Sequence, residues 1–177
     1  VKLAPPPNKP IDVVIANAAE CEPYLTIDER LLAERPGDVV EGMAILLKTL
    51  GVPKGVIGLE DNKEYLVPVL EKAISEHRHE GQEITIQVLV TKYPQGGEKM
   101  LISAITGKEV PSGGLPMDVG CVVQNVGTLV AVADAFSKGQ PLIERGLTIT
   151  GGACKTPKNL FVPIGTLISD LVPDVIE

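Results

Sequence analysis

The chain has 177 residues, of which 44% are hydrophobic and only 3% aromatic, and its formal net charge is −7. This size and composition support one substantial aliphatic core of the kind found in parallel α/β sheets. The net negative charge argues against a nucleic-acid-binding surface, which needs clustered Lys and Arg. No apolar run approaches the roughly 20 residues that cross a bilayer, and no stretch at the start has the pattern of a secretory signal.

The cysteines and histidines do not form a metal-binding pattern. Cys21, Cys121 and Cys154 stand singly, without the close spacing of zinc or iron–sulfur ligands. His77 and His79 lack a third ligand nearby and are interpreted as part of a solvated face. We therefore expect no metal site and no catalytic thiol here, and the odd cysteine count favours a reducing cytosol.

The chain opens on a proline-stiffened extended stretch, residues 1–7, without an initiator Met. We interpret it as a fragment or excised domain.

Three apolar runs have the length of strands, and segments with helical spacing lie between them. The runs cover residues 12–16, 55–59 and 84–90. The predicted helices cover residues 28–50 and 62–79. We expect the first helix to break near Pro36-Gly37 and the second to begin with Asn62 as its N-cap.

A glycine-rich turn follows the third predicted strand. It reads TKYPQGGEK over residues 91–99, and a helix over residues 97–106, closed by Gly107, is predicted after it. Glycines at a strand-to-helix turn let the backbone approach a ligand, and the free N–H groups of the helix attract anions. The same turn is equally consistent with a tight loop that binds nothing.

The next segment repeats the strand-to-helix pattern. A loop over residues 111–116 leads to an apolar strand at 119–123 and a helix at 125–137. The first turn of that helix presents backbone donors beside Gln124, Asn125 and Thr128.

After residue 140 the pattern changes to short strands at residues 144–150 and 159–164 and a short helix at 166–172. We therefore predict a main domain over residues 1–140 and the beginning of a small β-rich module over residues 141–177.

Alternating strands and helices imply a mostly parallel sheet whose ligand crevice lies beyond the carboxyl ends of the strands. Residues 17–22, 93–98 and 124–128 all fall at such ends. Glu20 and Glu22 stand two residues apart on an extended stretch, so we expect them to point the same way and to receive hydroxyl or N–H groups. They are also consistent with ordinary surface charges.

Four stretches in order, NAAECEPYLTIDER, TKYPQGGEK, VPSGGLP and VVQNVGT, make the chain resemble the C subunit of the Rnf electron-transport complex. That family is related to the NADH-binding flavoprotein subunit of respiratory complex I. The resemblance covers essentially the whole chain. It implies a Rossmann-like FMN/NAD-binding domain followed by a β-grasp-like ligand-binding module, and hydride transfer between NAD(H) and non-covalently held FMN.

The resemblance also implies which residues bind the cofactors. Asn17 and Glu20 would face the flavin, and Glu22 would reach the nicotinamide nucleotide. The full implied set is Asn17, Glu20, Glu22, Tyr93, Gly96, Gly97, Glu98, Gln124, Asn125 and Thr128. Gly97, Gln124 and Gly127 depart from the residues of the complex I relative.

The family's glycine-rich phosphate loop lies upstream of this chain and its 4Fe-4S cysteines lie downstream. We therefore expect the isolated fragment to purify with little or no FMN and to be inactive. The resemblance implies NAD(H) and the other Rnf subunits as partners, and a peripheral position on the cytoplasmic face of the inner membrane. The alternatives are a cobalamin reductase of bacterial microcompartments, which shares the NAAECEP stretch, and a docking scaffold without catalysis.

Overall fold

The computed structural model describes residues 2–77 and 79–171, and Val1, Arg78 and residues 172–177 lie outside the described part. Four strands form a parallel sheet, and two further strands form an antiparallel hairpin. The strands are β1 Val13–Ala18, β2 Lys54–Glu60, β3 Glu83–Leu89, β4 Cys121–Asn125, β5 Glu144–Ile149 and β6 Lys158–Pro163.

Helices connect and flank the strands. They are α1 Ile27–Glu34, α2 Pro36–Leu50, α3 Val67–Glu76, α4 Glu98–Thr106, α5 Val126–Ser137 and α6 Ile168–Leu171. Short 3-10 segments cover Asp61–Leu66 and Pro116–Val119.

The parallel sheet has the strand order β3-β2-β1-β4 and is covered by helices on both faces. Side chains alternate along β1, so Val14 and Ala16 pack toward one face while Val13 and Ile15 pack toward the other. The first face is covered by α1, α2, α3 and α5, and the second by α4. The predicted Rossmann-like fold is confirmed.

Helices α2 and α5 pack closely because a glycine lies at their contact. A Cβ atom on Gly42 would come within 2.0 Å of the carbonyl oxygen of Leu129. This close approach brings the N-terminal end of α5 beside α1, which is where the crevice described below lies.

Most element predictions are confirmed, with shifted ends. The break in the first long helix falls at Arg35, because Pro36 begins α2 and cannot continue α1. Asn62 is not an N-cap, since residues 61–66 form a 3-10 segment and α3 begins only at Val67. The last predicted helix forms over Ile168–Leu171, and Val172 lies outside the described residues.

The hairpin of β5 and β6 packs against the start of α1. The hydroxyl of Thr148 accepts a hydrogen bond from the backbone N–H of Thr26 (3.2 Å), and the Asn159 amide donates to the Thr26 hydroxyl (3.0 Å). A Cβ atom on Gly146 would lie 2.7 Å from the Ile27 side chain, so glycine permits this approach. The domain boundary at residue 140 and the β-grasp assignment stay predictions.

None of the helices within residues 2–77 and 79–171 has the length and apolar character required to cross a membrane.

Candidate functional site

A crevice lies at the point of the sheet where the chain, after β1, adds strands first on one side of β1 and then on the other. The chain leaves β1 for β2 on one side and later returns to β4 on the other, and this switch point is where open α/β sheets bind ligands. The crevice has a volume of about 680 Å³, within the range of small-molecule sites. It is lined by the segment after β1, the glycine turn, α1, α5 and the hairpin. The lining residues include Ala19, Glu20, Cys21, Glu22, Leu25, Ile27, Asp28, Gly96, Gly97, Asn125, Gly127, Arg145 and Phe161.

The glycine turn is held directly against the end of β1. The Asn17 side-chain amide donates to the carbonyl oxygen of Gly96 (2.8 Å), and its oxygen accepts from the N–H of Ala19 (3.2 Å). A Cβ atom on Gly96 would lie 1.9 Å from the Ala19 carbonyl oxygen. Gly96 is therefore required for this backbone-to-backbone packing, and Asn17 is the residue that fixes it.

Glu20 and Glu22 do not point the same way, which corrects the expectation from their spacing. The side chain of Glu20 is only 4% exposed; it accepts from the N–H of Asp28 (3.1 Å) and lies 3.4 Å from Lys63 Nζ. Glu22 is exposed and accepts a 3.4 Å hydrogen bond from the Tyr93 hydroxyl. The physical reason is that β1 ends at Ala18, so the alternation of an extended strand no longer applies.

Tyr93 and Glu98 lie beside the crevice and do not line it. Tyr93 is 68% exposed at the rim. Glu98, at the start of α4, pairs with Lys2 (2.8 Å), whose ammonium also donates to the carbonyl oxygen of Val123 (2.8 Å). This contact ties the N-terminal segment to the middle of β4.

The N-terminus of α5 forms one side of the crevice. Asn125 is its N-cap and accepts from the N–H of Gly127 (2.9 Å), while its amide donates to Asp28 (2.6 Å). Arg145 of β5 donates to the same Asn125 oxygen (3.3 Å). Gln124 and Thr128 flank this turn, and neither belongs to the described lining of the crevice.

Asp28 is a crevice residue that the sequence did not single out. Its pKa is raised to about 6, first by burial and then by the charge of Glu20, and the Asn125 hydrogen bond opposes this rise. Arg145 and Lys63 also lower the pKa of Asp28, more weakly. The presence of Arg145 in the crevice could not be predicted from the sequence, because Arg145 lies in the hairpin at a position that no local motif marks.

A second buried carboxylate, Glu60, lies at the end of β2. It is 1% exposed, burial raises its pKa, and the charge of Lys63 lowers it. Its Oε1 atom has no hydrogen-bond partner among the described residues. Lys63 is thus a buried cation that serves both Glu20 and Glu60.

All three cysteines are free, and the described part of the chain holds no group of three or more His, Cys, Asp or Glu side chains arranged to bind a metal ion. Cationic Arg145, carboxylates and apolar walls in one crevice suit a planar ligand that carries an anionic group.

Two curated relatives are similar in sequence to most of this chain. It is 55% identical over 172 residues to the C subunit of the proton-translocating ferredoxin:NAD(+) oxidoreductase complex of Clostridium ljungdahlii, covering 97% of this chain and 36% of that protein. It is 48% identical to the C subunit of the Na(+)-translocating ferredoxin:NAD(+) oxidoreductase complex of Acetobacterium woodii, with 97% and 38% covered. The resemblance to the Rnf C subunit is confirmed, and the chain spans little more than a third of these relatives' length.

A solved structure has the same fold. A chain of an NAD+-reducing [NiFe]-hydrogenase in the H2-reduced state superposes with a TM-score of 0.80 and 28% identity, over 94% of this chain and 33% of that one. The profile of the Nuo51 FMN-binding domain matches residues 1–134. This chain belongs to the Nuo51 FMN-binding domain family.

Proposed function

We propose that this chain is the FMN- and NAD(H)-binding part of an ion-translocating ferredoxin:NAD oxidoreductase subunit. The observation that carries the proposal is the convergence of Ala19–Glu22, Gly96–Gly97 and Asn125–Gly127 on one crevice at the switch point of the sheet. Relatives named as the C subunits of such complexes support it.

The donor set of the crevice fits a flavin nucleotide. An isoalloxazine ring needs apolar walls, which Ile27 and Phe161 provide, and acceptors for its N–H group, which the carboxylates provide. The nucleotide phosphate needs cationic or N–H donors. Arg145 and the first turn of α5, whose opening amides have no partner within the helix, supply them.

Bound FMN would supply hydride exchange with the nicotinamide ring, a chemistry that belongs to the cofactor. In our proposal the protein places the rings and sets the charge around them. Asn17 holds the glycine turn in position, and Asn125 orders the α5 terminus. The exposed carboxylate of Glu22 orients the nicotinamide nucleotide, and the remaining predicted residues, Glu20, Tyr93, Gly96, Gly97, Glu98, Gln124 and Thr128, surround these groups.

The proposal extends to the longer protein. There the 4Fe-4S clusters lie downstream of the flavin domain and take single electrons from it. The subunit sits peripherally on the cytoplasmic face of the membrane, against the other subunits of the complex.

Calorimetric titration of the full-length protein with FMN, followed by bleaching of the flavin absorbance on adding NADH, tests this function. We expect FMN binding that weakens about tenfold in Asn125→Ala, which removes a cap and a crevice amide.

Asp61→Ala is the matched control. Asp61 also accepts from a backbone N–H, that of Thr91 (3.1 Å), but it does not line the crevice. We expect FMN binding to be unchanged in this variant. A full-length protein that binds no FMN would contradict the proposal and favour a docking scaffold.

A further inference from the structure

Tyr24 has a backbone conformation that tyrosine rarely adopts. Its φ is +68°, and it is the only residue other than glycine with positive φ in the described part of the chain. The backbone N–H of Leu25 donates to the carbonyl oxygen of Glu22 (3.3 Å), which closes a turn with Pro23 and Tyr24 at its centre. That is the pattern of a type II turn, whose third position favours glycine because it requires positive φ.

Side-chain packing within the described residues does not compensate for this strain. The Tyr24 side chain is 77% exposed and packs against neither hydrophobic core. Its hydroxyl forms no hydrogen bond with any residue of 2–77 or 79–171, whereas the hydroxyls of Tyr65 and Tyr93 donate to Glu29 and Glu22. A strained residue that contributes no packing is a candidate for function.

The position of the turn indicates what that function is. Glu22 and Leu25, at the two ends of the turn, both line the crevice, so Tyr24 stands at its mouth. Tyr93, also strongly exposed, is bound to the same Glu22. Two exposed aromatic rings therefore flank the exposed carboxylate of this rim.

We infer that Tyr24 is a binding residue for the nucleotide substrate, whose planar ring stacks on the exposed tyrosine at the crevice mouth. The inference rests on the proposed function and adds a residue to the NAD(H) site. Ring stacking needs a large flat face and no hydrogen-bond partner, which matches the free surface of Tyr24. In this left-handed conformation the Tyr24 side chain is exposed to solvent.

The test uses the full-length protein loaded with oxidised FMN and measures equilibrium NAD(H) affinity with NAD+, which does not reduce the flavin, from flavin fluorescence, together with the unfolding temperature. In Tyr24→Gly we expect NAD(H) affinity to fall about tenfold or more, with FMN affinity unchanged. We expect the unfolding temperature to hold or to rise by about 2–4 °C, because glycine relieves the strain. Tyr24→Phe keeps the ring and should retain wild-type affinity.

Phe136→Ala is the matched control, since it removes a similarly exposed ring, 73% exposed, on α5, and Phe136 does not line the crevice. It should leave NAD(H) affinity unchanged. Tyr24→Gly with wild-type NAD(H) affinity, or with a lowered unfolding temperature, would overturn the inference while FMN binding still supports the proposed function. An unaltered protein that binds no FMN would instead overturn the function itself.

Discussion

The side-chain amide of Asn17 donates a 2.8 Å hydrogen bond to the carbonyl oxygen of Gly96, across the end of the intervening strand β2. The glycine turn follows β3, and β3 is not a neighbour of β1 in the sheet. This contact holds the glycine turn against the end of β1, at the switch point of the sheet. Together with the packing of Gly96 on Ala19, it places the turn and the Glu20–Glu22 segment beside one crevice.

Gly96→Ala should destabilise the fold, because its Cβ would lie 1.9 Å from the carbonyl oxygen of Ala19. Two backbone segments must separate to admit it, so we expect a loss of about 1–3 kcal/mol in the free energy of unfolding. Urea denaturation measures this loss. Gly152→Ala, at a site with no atom within 4 Å of the new Cβ, should change the free energy by less than about 0.5 kcal/mol. Equal stability of the two variants would contradict the packing.

Asp28→Asn should stabilise the protein at neutral pH. The folded state raises the Asp28 pKa from 3.8 to about 6. The contribution of Asp28 to the free energy of unfolding is therefore most favourable below pH 3.8 and is lost as the pH rises through 6. The asparagine variant avoids that loss and should be more stable by up to about 3 kcal/mol at pH 8. The difference should vanish below about pH 4 in paired denaturation series. A constant difference across this range would show that Asp28 does not titrate as described.

Lys63→Met should be strongly destabilising, because it leaves Glu20 and Glu60 without their buried cation. Removing one partner of a buried ion pair costs about 3–5 kcal/mol. The loss should shrink as the pH is lowered, because burial already raises the pKa of Glu60 and a protonated Glu60 no longer needs a neighbouring cation. Lys72→Met breaks an exposed pair with Glu76 and should cost less than about 0.5 kcal/mol in the same denaturation assay. If Lys63→Met lost no more stability than Lys72→Met, Lys63 would not stabilise the two buried carboxylates.

Glu22→Gln should change the binding of NAD(H) without changing the binding of FMN. Glu22 is exposed at the rim, whereas Glu20 already accepts a hydrogen bond from a backbone N–H of α1 and pairs with Lys63. Replacing its charge should weaken NAD(H) binding about tenfold and leave FMN binding unchanged, as measured by calorimetry on the full-length protein. Glu76→Gln on the exposed face of α3 is the control. Weakened FMN binding with normal NAD(H) binding would reverse the proposed role.

The sequence predicted the fold well where periodicity and breakers act locally. Pro36 marked the break between α1 and α2, and Gly107 marked the end of α4. It failed at Asn62, where the chain forms a 3-10 segment before α3, because a lone cap residue does not say where the helix begins.

The candidate site was predictable only in part. Strand ends placed Asn17, Gly96 and Asn125 at one edge, and the structure brings them together. Arg145 and Lys63 reach Asn125 and Glu20 from distant segments, so only tertiary packing reveals them. The opposed directions of Glu20 and Glu22 depend on where β1 ends, which sequence patterns define least well.

The most direct test is a crystal structure of the full-length protein with FMN. We expect the bound flavin nucleotide within contact distance of Gly96, Gly97 and Asn125, in the crevice at the end of β1 and β4. An ordered flavin bound elsewhere, with this crevice empty, would contradict the account.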